Sequence, residues 1–164
     1  MQTLKLRKVK DIEINEYLNS RNMPFNKNKM VNKNKIKNID HYSWWFSNKR
    51  SIYCCEVDRY HKIFFWDKVC ISKKTKFIVG GWHSNQKKTN LIHILYFQKW
   101  QIKNRKKLGL FWIAVIKKNN KKILKLCKYL GYKLVSKKDN KIYKLIKDFF
   151  KVSSNEFYFL KLKR

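Results

Sequence analysis

The chain has 164 residues, 44 % of them hydrophobic and 16 % aromatic, enough apolar material for a packed core, which excludes wholesale disorder. With one proline and four glycines no linker divides it, so a single domain over residues 1–164 is expected. Its 41 Lys and Arg against 10 Asp and Glu, formally +31, invite an anionic partner such as RNA or an acidic membrane. Arginine, the preferred residue for planar phosphate and base recognition, occurs only six times, and the lysines are spread along the chain. Biased Lys/Asn/Ile usage therefore explains most of the charge, and a nucleic-acid partner is open but not favoured.

Residues 3–9 alternate Leu4, Leu6 and Val9 with polar residues and predict a first strand. Asp11 suits the N-cap of a helix carrying Ile12, Ile14, Tyr17 and Leu18. Pro24 should stop that helix, because the residue before a proline avoids the helical region. Residues 26–38 are polar, basic and aperiodic, which predicts a mobile loop. Asp40 suits the cap of a second helix through His41, Trp44, Trp45 and Phe46. Residues 51–57, 62–71 and 75–83 are β-rich and predict an antiparallel meander ending just after Gly80-Gly81.

Residues 91–107 predict a long helix with Leu91, Ile92, Leu95, Tyr96 and Trp100 among its apolar positions. Residues 110–116 form a continuous apolar run, as a buried strand does. The β-α-β order from Thr75 to Ile116 then predicts parallel strands near Val79 and Ile113. Asn120 opens a helix with Ile123, Leu124, Cys127 and Leu130 on one face, closed by Gly131. A short strand over 132–135, a helix over 139–151 and a strand over 157–162 complete the chain.

Cys54, Cys55, Cys70 and Cys127 form no CxxC pair and no ligand-like spacing with His41, His61, His83 or His93. Reduced structural thiols and no metal site are expected. The start, Met1 to Arg7, has no apolar signal core, and no segment is long enough to span a membrane. A cytoplasmic location is the resulting expectation.

The element order and several local motifs resemble the GNAT superfamily of N-acetyltransferases. Residues 110–133, LFWIAVIKKNNKKILKLCKYLGYK, are similar to the family's fifth strand and following helix, with Asn120, Ile123, Leu126, Gly131 and Tyr132 in the pattern positions. LKLRKVKDIEINEYLNSRNMP resembles the opening of one branch, and DHYSWWF resembles that branch's His-x-x-Trp-Phe element. The branch includes amino-sugar and protein N-terminal acetyltransferases. The resemblance implies an α/β (α+β) three-layer fold, a mixed twisted sheet of about six or seven strands with helices on both faces.

It also implies an enzyme that takes acetyl-CoA as co-substrate and acetylates a primary amine, of an amino sugar or nucleotide-linked amino sugar in the leading reading. The alternatives are a protein or ribosomal N-terminus as acceptor, or a non-catalytic module binding RNA or another anionic partner. The family's pyrophosphate loop, Gln/Arg-x-x-Gly-x-Gly/Ala, corresponds to Gln86-Lys87-Lys88-Thr89-Asn90-Leu91. Thr89 and Leu91 stand where glycines normally let backbone N–H groups reach phosphates, so Lys87 and Lys88 would supply the attraction. Gly81, Trp82 and Asn120 complete the implied cofactor site. His83 is the implied base, and Cys127, with Tyr129 as substitute, occupies the place of the acid. Arg21, Asn22, His41 and Trp44 fall on the acceptor side.

Overall fold

The computed structural model describes residues 4–47 and 50–163, so the predicted start of the first strand at Thr3 lies outside the described residues. Seven strands form one mixed sheet: β1 (Lys5–Lys8), β2 (Ser51–Glu56), β3 (Lys62–Ser72), β4 (Thr75–Ser84), β5 (Trp112–Lys117), β6 (Lys133–Leu134) and β7 (Phe157–Leu162). Their order is β1-β2-β3-β4-β5-β7-β6. The helices are α1 (Ile14–Asn22), α2 (Pro24–Lys27), α3 (Asn38–Ser47), α4 (Leu91–Asn104), α5 (Lys121–Tyr129) and α6 (Asn140–Phe150). The α+β class and the strand count match expectation.

β1 with β2, and β2 with β3, pair antiparallel. β4 and β5 pair parallel through Ile78↔Trp112 and Val79↔Ile113, as the intervening helix requires. β7 then returns antiparallel between β5 and β6. The chain divides into two compact units, Met1–Lys68 with Gly81–Phe97 and Val69–Gly80 with Gln98–Arg164.

In the first unit, Tyr17, Cys54 and Phe64 form a buried cluster with Trp44, Trp45 and Ile52 against it. An ion-pair network lies nearby: Arg7 bonds Glu13 at 2.6 Å and Glu56 at 2.6 Å, and Lys62 bonds Glu16 at 2.6 Å. The Arg7 guanidinium holds the Glu13 carboxyl down at about 2. Glu13 also accepts from the Lys10 backbone N–H at 2.9 Å, which draws residues 11–13 into a tight 3₁₀ turn. Lys10, not Asp11, therefore caps this end.

The first helix stops before Pro24 as expected, α1 ending at Asn22, and Pro24 has a second role besides. Met23 is extended, as the residue before a proline prefers, and Pro24 opens α2 at its first position. The stretch expected to be mobile is tied down. Arg21 donates to the Asn32 and Asn34 carbonyls at 2.8 and 2.9 Å, and Asn22 exchanges two hydrogen bonds with the Ile36 backbone. Asp40 sits in the first turn of α3, which begins at Asn38.

In the second unit, Ile78, Ile102, Trp112 and Leu162 pack together, and Ile116, Cys127 and Leu160 form a second cluster. Phe77 is fully buried and meets Phe111 and Phe149 at ring-centroid distances of 6.1 and 5.1 Å. Gly131 closes α5 with φ +90°. The Tyr132 N–H reaches the Cys127 carbonyl and the Gly131 N–H reaches Lys128, the Schellman closure that only a residue tolerating positive φ permits.

Candidate active site

In the first unit the polar chemistry gathers around Tyr17. Tyr17, Ser20 and Arg21 share one side of α1, and His41, Trp44 and Trp45 share one side of α3, by their three- and four-residue spacing. The Tyr17 ring lies 4.5 Å edge-on from His83, 5.7 Å in a stack from His41, and 5.5 Å from Phe64. His41 stacks on Trp44 at 5.2 Å. His83, His41 and Trp44, singled out in the sequence, are thus brought together; Tyr17, which reads there as an ordinary apolar helix position, stands among all three.

His83 is 1 % exposed. Its Nδ1 shares a 2.9 Å hydrogen bond with the Ser20 hydroxyl, and its Nε2 has no partner. Burial, reinforced by the Arg21 guanidinium and by the neighbouring His41 imidazole, drives its pKa down to about 3, so the ring is neutral throughout the physiological range. His41 is likewise buried and depressed by desolvation, bonded to the Ile14 backbone, with Nε2 unpartnered. Burial pushes the Tyr17 phenol far above its ordinary value, so it too stays neutral.

Asn26 fastens these parts together. Its amide donates to the Ser20 carbonyl at 2.7 Å and to the Ser84 carbonyl at 2.6 Å, joining α1 to the end of β4. Ser20 and Asn26 were invisible as site residues in the sequence. Only the tertiary fold places them, although two buried polar side chains in a polar helix and its extension are the one signal that burial alone would have exposed. Arg21 and Asn22 direct their polar atoms at the 32–36 backbone and so hold the loop beside this cluster.

β4 continues into Gln86–Asn90 through a fixed corner. The Ser84 hydroxyl is 3.1 Å from His61 Nε2 and accepts from the Gln86 N–H at 3.1 Å, while Asn85 bonds the backbone of Tyr60 and Lys62. Gln86, Lys87 and Lys88 are exposed. Thr89 bonds the Gln86 carbonyl at 3.4 Å. Asn90 caps α4: its side chain accepts from Ile92 N at 2.9 Å, and its carbonyl accepts from His93 and Ile94. Several helix-end donors that a phosphate would use are therefore already engaged. A Cβ on Gly81 would stand 2.9 Å from the Trp66 ring, so the indole fills that space. Trp66 in turn carries the Arg50 guanidinium 3.9 Å above its ring. Trp82 packs edge-on to Phe97 at 6.2 Å.

The second unit holds the remaining sequence candidates. Asn120 is the N-cap of α5, accepting from Ile123 N at 3.5 Å. Cys127 is 4 % exposed among Ile116 and Leu160, and burial pushes its thiol up to about 12. Tyr129 is 69 % exposed, with the Lys99 ammonium 5.4 Å from its ring. Among the described residues no cluster of three His, Cys, Asp or Glu could hold a metal, and no helix is long and apolar enough to cross a membrane.

No protein-family model matches the chain, and no curated protein matches it in sequence. Solved structures do. The ribosomal-protein-alanine N-acetyltransferase of Brucella melitensis superposes with TM-score 0.71 at 9 % identity, over 98 % of this chain and all of that one. The chain has the GNAT acetyltransferase fold. yncA from Salmonella typhimurium, solved with its cofactor acetyl-CoA, gives TM-score 0.70 at 10 % identity over 98 % of this chain and 94 % of that one. The Campylobacter jejuni N-acetyltransferase PseH gives 0.53 at 17 % identity over 98 % of both chains.

Proposed function

We propose that residues 1–164 form one catalytic domain that transfers the acetyl group of acetyl-CoA to a primary amine, that of an amino sugar or nucleotide-linked amino sugar. The observation that carries this reading is end-to-end likeness to acetyltransferase structures, one solved with acetyl-CoA, joined to a neutral histidine beside the end of β4. In the reaction the amine nitrogen bonds to the thioester carbonyl carbon, the C–S bond breaks, and CoA leaves as a thiolate. A base with a pKa near 3 cannot deprotonate a free ammonium, so the amine enters neutral. His83 then relays, through water, the far more acidic proton of the tetrahedral adduct.

Cys127, at about 12, is too weak an acid to protonate a thiolate whose conjugate acid has an ordinary pKa of about 8.5. Tyr129 lies in the open. We therefore assign the thiolate's proton to solvent. Gln86, Lys87, Lys88, Thr89 and Asn90 take the CoA pyrophosphate, with Gly81, Trp82 and Asn120 along the rest of the cofactor. Because Asn90 already engages the Ile92 and His93 amides, Lys87 and Lys88 act as point charges, which salt screens. His41, Trp44, Arg21 and Asn22 shape the acceptor side.

Calorimetry tests the cofactor half. Acetyl-CoA affinity should fall with rising salt, and Lys87→Ala/Lys88→Ala should reduce both the affinity and that dependence; no binding at millimolar acetyl-CoA overturns the reading. Thiol release with a UDP-linked amino sugar, a free amino sugar and an alanine-starting peptide tests the acceptor half. Turnover of the peptide alone would move the assignment to N-terminal acetylation, which the likeness to a ribosomal-protein-alanine enzyme supports.

A further inference from the structure

An open groove of about 340 Å³ in the second unit is lined by Lys99, Ile102, Lys103, Lys106, Tyr129 and Leu130. Lys99, Lys103 and Lys106 recur at four- and three-residue spacing, on one side of α4 and the turn that follows it. Among the described residues none of the three forms an ion pair. Among the described residues no carboxylate lines the groove. Its floor is apolar, with Ile102 only 7 % exposed, and Tyr129 stands at its edge with one ring face beside the Lys99 ammonium.

Helix ends alone do not account for three cations here. A helix C-terminus is equivalent to roughly half a negative charge, and both neighbouring ends are closed by the backbone. Leu130, Gly131 and Tyr132 N–H groups serve the last carbonyls of α5, and the Arg105 N–H serves Gln101 in α4. Three ammonium groups therefore remain in excess around an exposed aromatic ring.

We propose that this groove binds a single-stranded RNA segment, one base stacking on Tyr129 and the adjoining phosphates meeting Lys99, Lys103 and Lys106. An aromatic face set in a lysine track is the arrangement that holds single strands without reading their sequence. A base-free polyanion would use the lysines and gain nothing from the ring. The site is independent of acetyl transfer and stands or falls without it.

Fluorescence anisotropy with a labelled oligouridylate of roughly ten nucleotides tests this, with heparin as a polyanion lacking bases. Tyr129→Ala should weaken RNA binding about 5-fold or more, leave heparin binding unchanged, and be rescued by Tyr129→Phe. Lys99→Gln/Lys103→Gln should lower the log–log salt slope for RNA by about 1.4, two lost single-strand contacts. A matched Lys33→Gln/Lys35→Gln variant, on the exposed 28–37 loop, should change little. Melting curves establish that each variant is folded. Equal losses from the loop variant, an unaffected Tyr129→Ala, or no RNA binding by the parent at about 0.1 M salt would overturn the proposal.

Discussion

The two compact units are built on different principles. Among the described residues, every buried polar or charged side chain except Gln101 lies in the first unit: Glu13, Ser20, Arg21, Asn26, His41, His61, Asp67, His83 and Ser84. The second unit is closed by amphipathic helices, α5 and α6, over aliphatic and aromatic clusters. Apolar burial is non-directional and tolerant. A buried polar network is directional, and each member left unpaired costs roughly 1–3 kcal/mol. A protein that places its polar burial in one region concentrates there both its specificity and its sensitivity to pH.

The comparison breaks first where the second unit is hollowed. Phe77→Ala should cost about 3–5 kcal/mol in urea unfolding, with no change in the pH dependence of stability. A loss below about 1 kcal/mol would mean the ring does not hold that core.

Acid should act on the first unit. His83 has a folded pKa near 3 against an ordinary 6.5, so its contribution is present above pH 6.5 and is lost as the unfolded chain protonates below it. Stability should fall by about 1.4 kcal/mol per pH unit from this residue alone. His41 and His61 are depressed in the same direction. Glu13, held near 2 against 4.5, adds its loss below pH 4.5. His83→Gln should flatten the slope between pH 6 and 5; an unchanged slope would show that His83 is not the buried neutral group.

Arg21→Ala should cost about 1–3 kcal/mol and speed proteolysis within residues 28–37, because two loop carbonyls lose their donor. Arg21→Lys should not restore protection, since one ammonium cannot reproduce the guanidinium fork. Equal cleavage rates in parent and variant would remove the anchoring role.

Asn120→Ala should cost no more than about 1 kcal/mol, because its capping bond is long at 3.5 Å. If it holds the cofactor as proposed, acetyl-CoA affinity falls as well; unchanged affinity with a lower melting temperature leaves only the cap. The smallest expected effect is at Cys127. Its thiol, raised by burial, should resist a thiol-specific reagent at pH 8 until the protein unfolds.

Legibility divided by the kind of signal each segment carries. Residues 110–116, 120–131, 139–151 and 157–162 were readable because a one-sided apolar pattern or a short apolar run is a property of the chain itself; the structure shifts their ends by a residue or two. Residues 11–13 and 24–37 were not. Their conformation depends on Glu13 reaching Lys10 and Arg7, on Pro24 opening α2 as well as following the end of α1, and on Arg21 and Asn22 finding carbonyls more than ten residues away. His83, His41 and Trp44 were legible as candidates by type and place, whereas Tyr17, Ser20 and Asn26 gave no sign.

The sequence by itself determined the order of the strands and of the helices other than α2, the parallel relation of β4 and β5, and the α5 closure at Gly131. Each follows from periodicity, glycine chemistry or the geometry of a β-α-β connection, which are local or nearly so. Only the tertiary structure decided that His83 is neutral and bonded to Ser20, that Cys127 is core, and that Tyr129 faces solvent beside three lysines. Those outcomes depend on desolvation and on partners distant in sequence, and no local pattern encodes either.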